Sequence, residues 1–216
     1  MPYFYNPEKN LNLLLIHIPK TGGTSLEHYF QKKYDIPLNR GSLWSTLRRG
    51  VTPNNISFQH QPYLMIYQHK DFFKVHFTSD ITIISIVRNP YERIISDLFH
   101  FKYINLDTSR EEVFEIIQKY FNTDIVLLDN HKTPQYKFVT DEKDEIIENI
   151  TILKMEQLNS DMYDLGYIDY NHYKEKTTVN VNTLNLNYYN YLNNSSIQAI
   201  NKYYEKDFLL FGYKMK

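Results

Sequence analysis

The chain has 216 residues, with 24 basic and 25 acidic side chains and no cysteine. The lack of cysteine excludes disulfides, thiolate metal sites and a cysteine nucleophile, and a net charge of −1 argues against a protein that binds nucleic acid through a basic surface. The N-terminus lacks the pattern of a signal peptide, and no apolar stretch approaches the length of a membrane span. We therefore expect one cytoplasmic domain that covers residues 1–216.

The N-terminal part of the chain predicts a strand followed by a helix. Residues 11–17 are apolar and end at a turn signal, which is typical of a short buried strand. Residues 24–34 predict a helix, because Leu26 and Phe30 fall four apart on one face. The segment 35–62 contains several glycines and prolines and is predicted to be mostly loop.

The middle of the chain repeats this strand-then-helix order. A short helix is predicted around residues 43–49, a short strand over 63–69, and one or two helical turns over 71–77. Residues 81–87 are β-branched and apolar, which predicts a second buried strand. Pro90 then lies at the first position of an amphipathic helix.

The remaining elements complete an alternating pattern. Residues 109–121 predict a helix that Ser109 and Glu112 begin with a capping box, and residues 150–155 predict a third strand. We expect a short helix after this strand, from Leu158 to Leu165, which Gly166 ends.

The last predicted element is a C-terminal helix from about Ser195 to Leu209. Strands that alternate with helices favour an α/β fold, in which a parallel sheet is flanked by helices on both faces. The whole chain is predicted to be a single domain of this kind.

The first strand leads into the sequence "IPKTGGTS", which has the features of an anion-binding loop. The first N–H groups of a helix have no partner within it and point at the preceding turn, and adjacent glycines allow close approach of a ligand. The lysine adds a positive charge and the hydroxyls add donors, although a plain strand-to-helix turn with a glycine pair is the alternative. The candidate binding residues are Lys20, Thr21, Gly22, Gly23, Thr24 and Ser25.

This loop differs from the phosphate-binding loop of ATPases and GTPases. In that motif a lysine follows the last glycine and directly precedes Ser or Thr, whereas here Lys20 precedes both glycines. The order argues against ATP or GTP hydrolysis.

A second candidate anion site follows the strand predicted over 81–87. Arg88 lies at the strand end, and Ser96 lies two helical turns after Asn89, on the same helix face. A guanidinium and a hydroxyl placed in this way can hold one anion together. An arginine exposed to solvent at a helix start is the alternative.

The two loops resemble those of a known enzyme family. "IHIPKTGGTSL" and "IVRNPYERIISDLF" are similar to the 5′-phosphosulfate and 3′-phosphate loops of sulfotransferases that use 3′-phosphoadenosine 5′-phosphosulfate (PAPS). The resemblance is to the carbohydrate-type family, which contains the heparan sulfate 2-O- and 6-O-sulfotransferases and small bacterial and viral relatives. Weaker similarity is found, in the expected order, at "TPQYKFV", "ILKMEQL" and "YYEKDFLLFGY", so that the likeness runs from about residue 11 to residue 213.

The resemblance implies a P-loop-like fold that binds PAPS, releases 3′,5′-bisphosphoadenosine (PAP) and needs no metal. It implies that residues 20–25 hold the 5′-phosphosulfate and that Arg88 and Ser96 hold the 3′-phosphate. Asn182 and Thr183 lie where the family closes a segment over the nucleotide, which makes them candidate further contacts.

Transfer to a hydroxyl group calls for positive charge at the leaving group and a general base. Lys20 is the candidate for the first role. His69 precedes a predicted short helix, as a histidine of the family does, and is the first candidate for the base, with His60 second. His17, on the first strand, is expected to be buried and hydrogen-bonded.

The sequence allows two interpretations for each of two further residues. Gln135 either orients the acceptor or the base or is a loop amide, and Glu156 either matches a glutamate of the family or has a structural role. The expected partner is a carbohydrate or another hydroxyl-bearing acceptor, without nucleic acid, and the sequence leaves the oligomeric state open. The alternatives to this activity are a P-loop phosphotransferase that uses ATP, a non-catalytic module that binds nucleotide or glycan, and a sulfotransferase directed at tyrosine or a small molecule.

Overall fold

The computed structural model of the protein describes residues 2–36, 52–172 and 186–216. The helix predicted around 43–49 and the two candidate contacts Asn182 and Thr183 lie outside the described residues.

A four-stranded sheet forms the centre of the described structure, in the order β1-β2-β3-β4. Its strands are β1 (Tyr3–Asn6), β2 (Leu11–Ile16), β3 (Thr82–Val87) and β4 (Ile150–Lys154). Strands β2, β3 and β4 are parallel neighbours, which confirms the prediction of a parallel sheet. The sequence did not predict β1, which pairs antiparallel with β2 through the tight turn that Pro7–Lys9 makes.

The helices occupy the sequence between and after the strands. They are α1 (Gly23–Tyr34), α2 (Tyr63–Gln68), α3 (Lys70–Phe73), α4 (Pro90–His100), α5 (Arg110–Asn122), α6 (Tyr136–Val139), α7 (Leu158–Asp164), α8 (Asn194–Tyr203) and α9 (Glu205–Phe211). The capping box of α5 is present as predicted, with Ser109 and Glu112 each satisfying the other's main-chain N–H. The predicted C-terminal helix is in fact two helices, because Tyr204 is not helical and separates α8 from α9.

The prediction of a strand over 63–69 is wrong, because this segment forms α2. Pro62 precedes the helix in an extended conformation, and its carbonyl accepts the N–H of Ile66 four residues later. Ile66 alone is fully buried within this helix. One buried residue per turn suits a short helix on a surface better than an alternating strand.

Two apolar layers cover the two faces of the sheet, as the α/β prediction requires. Leu13 and Leu15 of β2 pack with α1 and α7 on one face, while Leu14 and Ile16 pack with α2 and α6 on the other. This alternation follows from the two-residue period of a strand. The parallel strands therefore all end at the same edge, where β2 leads into the loop before α1 and β3 leads into α4.

Candidate functional site

The loop after β2 is shaped by its glycines. Gly22 has a φ of 95° and is the residue before α1, a conformation that L-residues rarely adopt. A Cβ on Gly22 would lie 2.5 Å from Sδ of Met155, and a Cβ on Gly23 would lie 2.8 Å from the ring of His17. Both glycines are therefore packed closely against neighbouring side chains, and a larger residue at either position would displace Met155 or His17.

The hydroxyl groups of this loop brace it from within. Thr21 is fully buried and donates to the carbonyl of Ile18 at 2.9 Å. Oγ of Ser25 lies 3.0 Å from the hydroxyl of Tyr170 and donates to the carbonyl of His172 at 3.3 Å. The bonds of Ser25 fix the loop against the segment that follows α7. Thr24 is half-buried.

Lys20 stands at the opening of this loop with a left-handed backbone, φ 65°. Burial lowers the pKa of its ammonium group; the negative charge of Asp97 opposes the shift and the positive charge of Arg88 adds to it. The carbonyl of Lys20 accepts a hydrogen bond from Nη1 of Arg88 at 3.3 Å. The two predicted anion loops are therefore in direct contact.

The second anion site has two buried donors. Arg88 is 6% exposed and Ser96 2% exposed. Arg88 pairs with Glu92 through Nη2 at 3.2 Å, but its Nε and the hydroxyl of Ser96 have no hydrogen-bond partner among the described residues. Buried polar groups are nearly always satisfied, so the two unsatisfied donors keep Arg88 and Ser96 as candidates for anion binding.

Side chains from distant segments fix the backbone at Arg88. The amide of Gln135 accepts from the Arg88 N–H and donates to the Arg88 carbonyl, both at 2.8 Å. Glu156 accepts the N–H of Asn89 at 2.6 Å and the hydroxyl of Tyr213 at 2.9 Å. The described contacts of Gln135 and Glu156 are structural hydrogen bonds, which agree with the second of the two interpretations given for each residue.

Arg93 was not singled out by the sequence, although it joins the site together. It is 2% exposed and donates to the carbonyls of Pro19, Thr133 and His131, at 3.0, 3.0 and 2.6 Å. These bonds tie the loop after β2 to the 131–133 segment. The available signal was an arginine set among the apolar residues of an amphipathic helix.

Three buried histidines lie beside the glycine loop, each paired with a carboxylate that the sequence did not single out. Their partners are Glu27 for His17, Asp129 for His60 and Asp97 for His131. The ring centroids of His17 and His60 are 5.3 Å apart, and those of His60 and His131 are 4.9 Å apart. The expectation that His17 is buried and hydrogen-bonded is confirmed.

His60 is buried and neutral. Burial lowers the pKa of His60 to about 3, although the hydrogen bond to Asp129 acts in the opposite direction. Its Nδ1 lies 2.8 Å from Oδ2 of Asp129. Within the described part of the chain Nε2 has no hydrogen bond, so a neutral His60 can accept a proton there.

His69 lies elsewhere in the described structure. It is exposed at the junction of α2 and α3, where its N–H donates to the carbonyl of Met65 at 3.2 Å. The structure thus joins Lys20 to Arg88 and places His60 against His17, while His69 makes no hydrogen bond, ion pair or ring contact with any of them among the described residues.

Two features are absent from the described ranges, which have gaps at 37–51 and 173–185. No group of three or more histidine or carboxylate side chains in them is arranged to hold a metal ion. No helix among them has the length and apolar character needed to cross a bilayer.

The neighbouring strands β2 and β3 of this α/β sheet end in two loops that contact each other through Lys20 and Arg88. The model of the sulfotransferase family matches residues 2–214, and the chain therefore belongs to that family. This match confirms the resemblance drawn from the two loops and establishes sulfuryl transfer as the general activity. The search found no significant match among curated proteins or solved structures.

Proposed function

We propose that the protein transfers the sulfuryl group of PAPS to a hydroxyl of a carbohydrate-like acceptor, with His60 as the general base. The observation that carries the proposal is the pair of unsatisfied buried donors, Nε of Arg88 and the hydroxyl of Ser96, next to the glycine loop. A donor nucleotide with acidic groups at both ends of its ribose suits two contacting anion sites.

The residues of the two loops fit such a nucleotide. The glycine turn that leads into α1, with Lys20 beside it, suits the 5′-phosphosulfate, while Arg88 and Ser96 suit the 3′-phosphate. When bound, the donor supplies the sulfuryl group.

Lys20 would meet the negative charge that grows on the leaving phosphate oxygen. Its ammonium group is partly withdrawn from water, as its lowered pKa reflects, and charge stabilisation is strongest where water is excluded. This placement favours a role in transfer over a role in ground-state binding alone.

His60 is the better supported of the two candidate bases. It is neutral, its ring lies beside His17 at the glycine loop, and its Nε2 is available. The proton of the acceptor hydroxyl would pass to this nitrogen as the new bond from oxygen to sulfur forms. A positioned base contributes about 10²–10⁴-fold to such a step.

Aromatic rings close in sequence to His60 support a sugar as acceptor. Tyr63 stacks on Tyr67 and Phe58 stacks on Phe72, each pair with ring centroids 5.7 Å apart. Tyr67 is 49% exposed and Phe72 is 42% exposed, so both present apolar faces on which a sugar ring can pack.

Calorimetry tests the donor. We expect PAP to bind far more tightly than adenosine 5′-monophosphate, which lacks the 3′ group. Equal affinities would contradict the two-site interpretation.

Transfer of radiolabelled sulfate from PAPS to a panel of glycans tests the activity. His60→Ala should lose about 10²-fold or more of turnover and keep PAP binding, whereas His69→Ala should retain turnover. If His69→Ala is the inactive variant, the base is His69. Labelling that needs ATP and Mg²⁺ instead of PAPS would indicate a phosphotransferase.

A further inference from the structure

A buried carboxylate lies directly behind the ring of His60. Asp129 is 4% exposed, and its Oδ2 lies 2.8 Å from Nδ1 of His60. The main-chain carbonyl of Asp129 lies 3.1 Å from the same nitrogen. One residue therefore presents two oxygen atoms to one ring nitrogen.

The turn that carries Asp129 is built around His60. Asp129 and Asn130 both have left-handed backbones, with φ 48° and 65°, and the side-chain amide of Asn130 donates to the carbonyl of His60 at 2.9 Å. The other carboxylate oxygen of Asp129 accepts the N–H of Ser57 at 2.7 Å. The carboxylate thus has a fixed orientation, with one oxygen on Ser57 and the other on His60.

This arrangement determines which ring nitrogen carries the proton. A carbonyl and an ionised carboxylate can only accept hydrogen bonds. Burial favours the protonated carboxyl, but the hydrogen bond from His60 holds the pKa of Asp129 below its ordinary value, so the group is ionised. Nδ1 of neutral His60 must then be the donor, and Nε2 keeps its lone pair.

We propose that Asp129 is the positioning residue of the reaction: it fixes His60 as the Nδ1–H tautomer and aims Nε2 at the acceptor hydroxyl. The inference rests on the proposed function only in taking His60 as the base. Asp129 itself need not touch donor or acceptor.

The pair of His131 and Asp97 offers a matched control. Its Nδ1–Oδ1 distance is 2.6 Å and both residues are buried. Asp97 also accepts the hydroxyl of Tyr120, and the carbonyl of His131 accepts from Arg93. An Asp→Asn change there removes a similar buried charge without touching the hydrogen bonds of His60.

The substitution Asp129→Asn tests the proposal with little change of shape. The amide oxygen can still accept from Ser57, which turns the amide NH₂ toward Nδ1 of His60, where it acts as a donor. Two-bond ¹H–¹⁵N correlation spectra report the tautomer, and His60→Gln identifies the His60 signals. We expect the Nδ1–H form in the parent protein and in Asp97→Asn, and a shift toward the Nε2–H form in Asp129→Asn.

Turnover provides the second measurement. In Asp129→Asn, kcat should fall about 10²-fold while KM changes less than about threefold, with PAP binding and the melting temperature close to those of the parent. A purely structural role would lower the melting temperature and leave the His60 tautomer unchanged, which would overturn the proposal.

The outcomes separate this inference from the proposed function. If His60→Ala retains turnover, the base is wrong. If His60→Ala is inactive but Asp129→Asn keeps the parent's tautomer or its kcat, the base stands and the role of Asp129 is overturned.

Discussion

The two strand ends of the proposed site would bind an anion by different means. The loop after β2 would rely on main chain, since it leads into the N-terminus of α1 and the hydroxyls of Thr21 and Ser25 are occupied inside the protein. The end of β3 relies on side chains, since Arg88 and Ser96 hold unsatisfied donors. Substitutions should therefore damage the first site through backbone shape and the second through lost charge and hydrogen bonds.

The largest expected effect is on transfer at the first strand end. Lys20→Ala removes the charge that meets the leaving group and should lower kcat about 10²–10³-fold, with PAP binding still measurable by calorimetry. Lys74→Ala is a close control, because Lys74 is an exposed lysine with a similar left-handed backbone, φ 54°. Unchanged turnover in Lys20→Ala would remove its proposed role.

The second-largest expected effect tests whether side chains bind the anion at the end of β3. Arg88→Lys keeps a positive charge but loses the Nε donor, and should weaken PAP binding about 10- to 100-fold while adenosine 5′-monophosphate binding changes little. Arg110→Ala, which removes an exposed arginine at the start of α5, should leave both affinities unchanged. Equal losses for the two nucleotides would place Arg88 outside the 3′ site.

A smaller expected effect tests whether the main chain binds the anion at the end of β2. Gly22→Ala combines a positive φ with a clash against Met155, whereas Gly166→Ala meets the same φ penalty with no atom within 4 Å. Both should lose about 1–2 kcal/mol of stability in chemical unfolding, but only Gly22→Ala should also weaken PAP binding. If Gly22→Ala binds PAP normally, the backbone at Gly22 is not part of the binding site for the nucleotide.

The smallest expected effect concerns pH and stability. Burial lowers the pKa of His60 to about 3, and partial burial together with the charge of Lys20 lowers the pKa of His100, which is exposed at the end of α4, to about 4. Below pH 6.5 the unfolded chain therefore binds protons that the folded protein does not, and stability should fall as the pH falls from 6.5 toward 4.

Buried Asp207, whose pKa is raised to about 6, changes stability in the opposite direction between about pH 4 and 6. The contribution of His100 is therefore measured as the difference between a His100 variant and the parent protein. His100→Gln should lose less stability than the parent between pH 7 and 5, as measured by the urea midpoint. An equal loss in both proteins would argue against the low pKa of His100.

The sequence predicted those parts of the protein that local patterns specify. The three parallel strands are short apolar runs and the first loop carries its glycines in a row, so both could be read directly. The segment of α2 was misread because Tyr63–Gln68 is apolar enough for a strand and too short to show a helical period.

The histidine cluster could not be predicted, because its partners come from distant parts of the chain. Asp129 reaches His60 from 69 residues away and Asp97 reaches His131 from 34. The sequence ranked His69 first because it precedes a predicted short helix, and only the contacts of His60 with Asp129 and with the ring of His17 favour His60 instead.

The contact between Gln135 and Arg88 has a consequence for the shape of the site. An amide side chain that both donates to and accepts from one residue reproduces what an adjacent strand would offer at that point. The side chain of Gln135 thus continues the hydrogen bonding of the sheet beyond the end of β3 and gives the backbone of Arg88 a rigid footing. Glutamate at position 135 would accept but not donate, and the footing would be lost on one side.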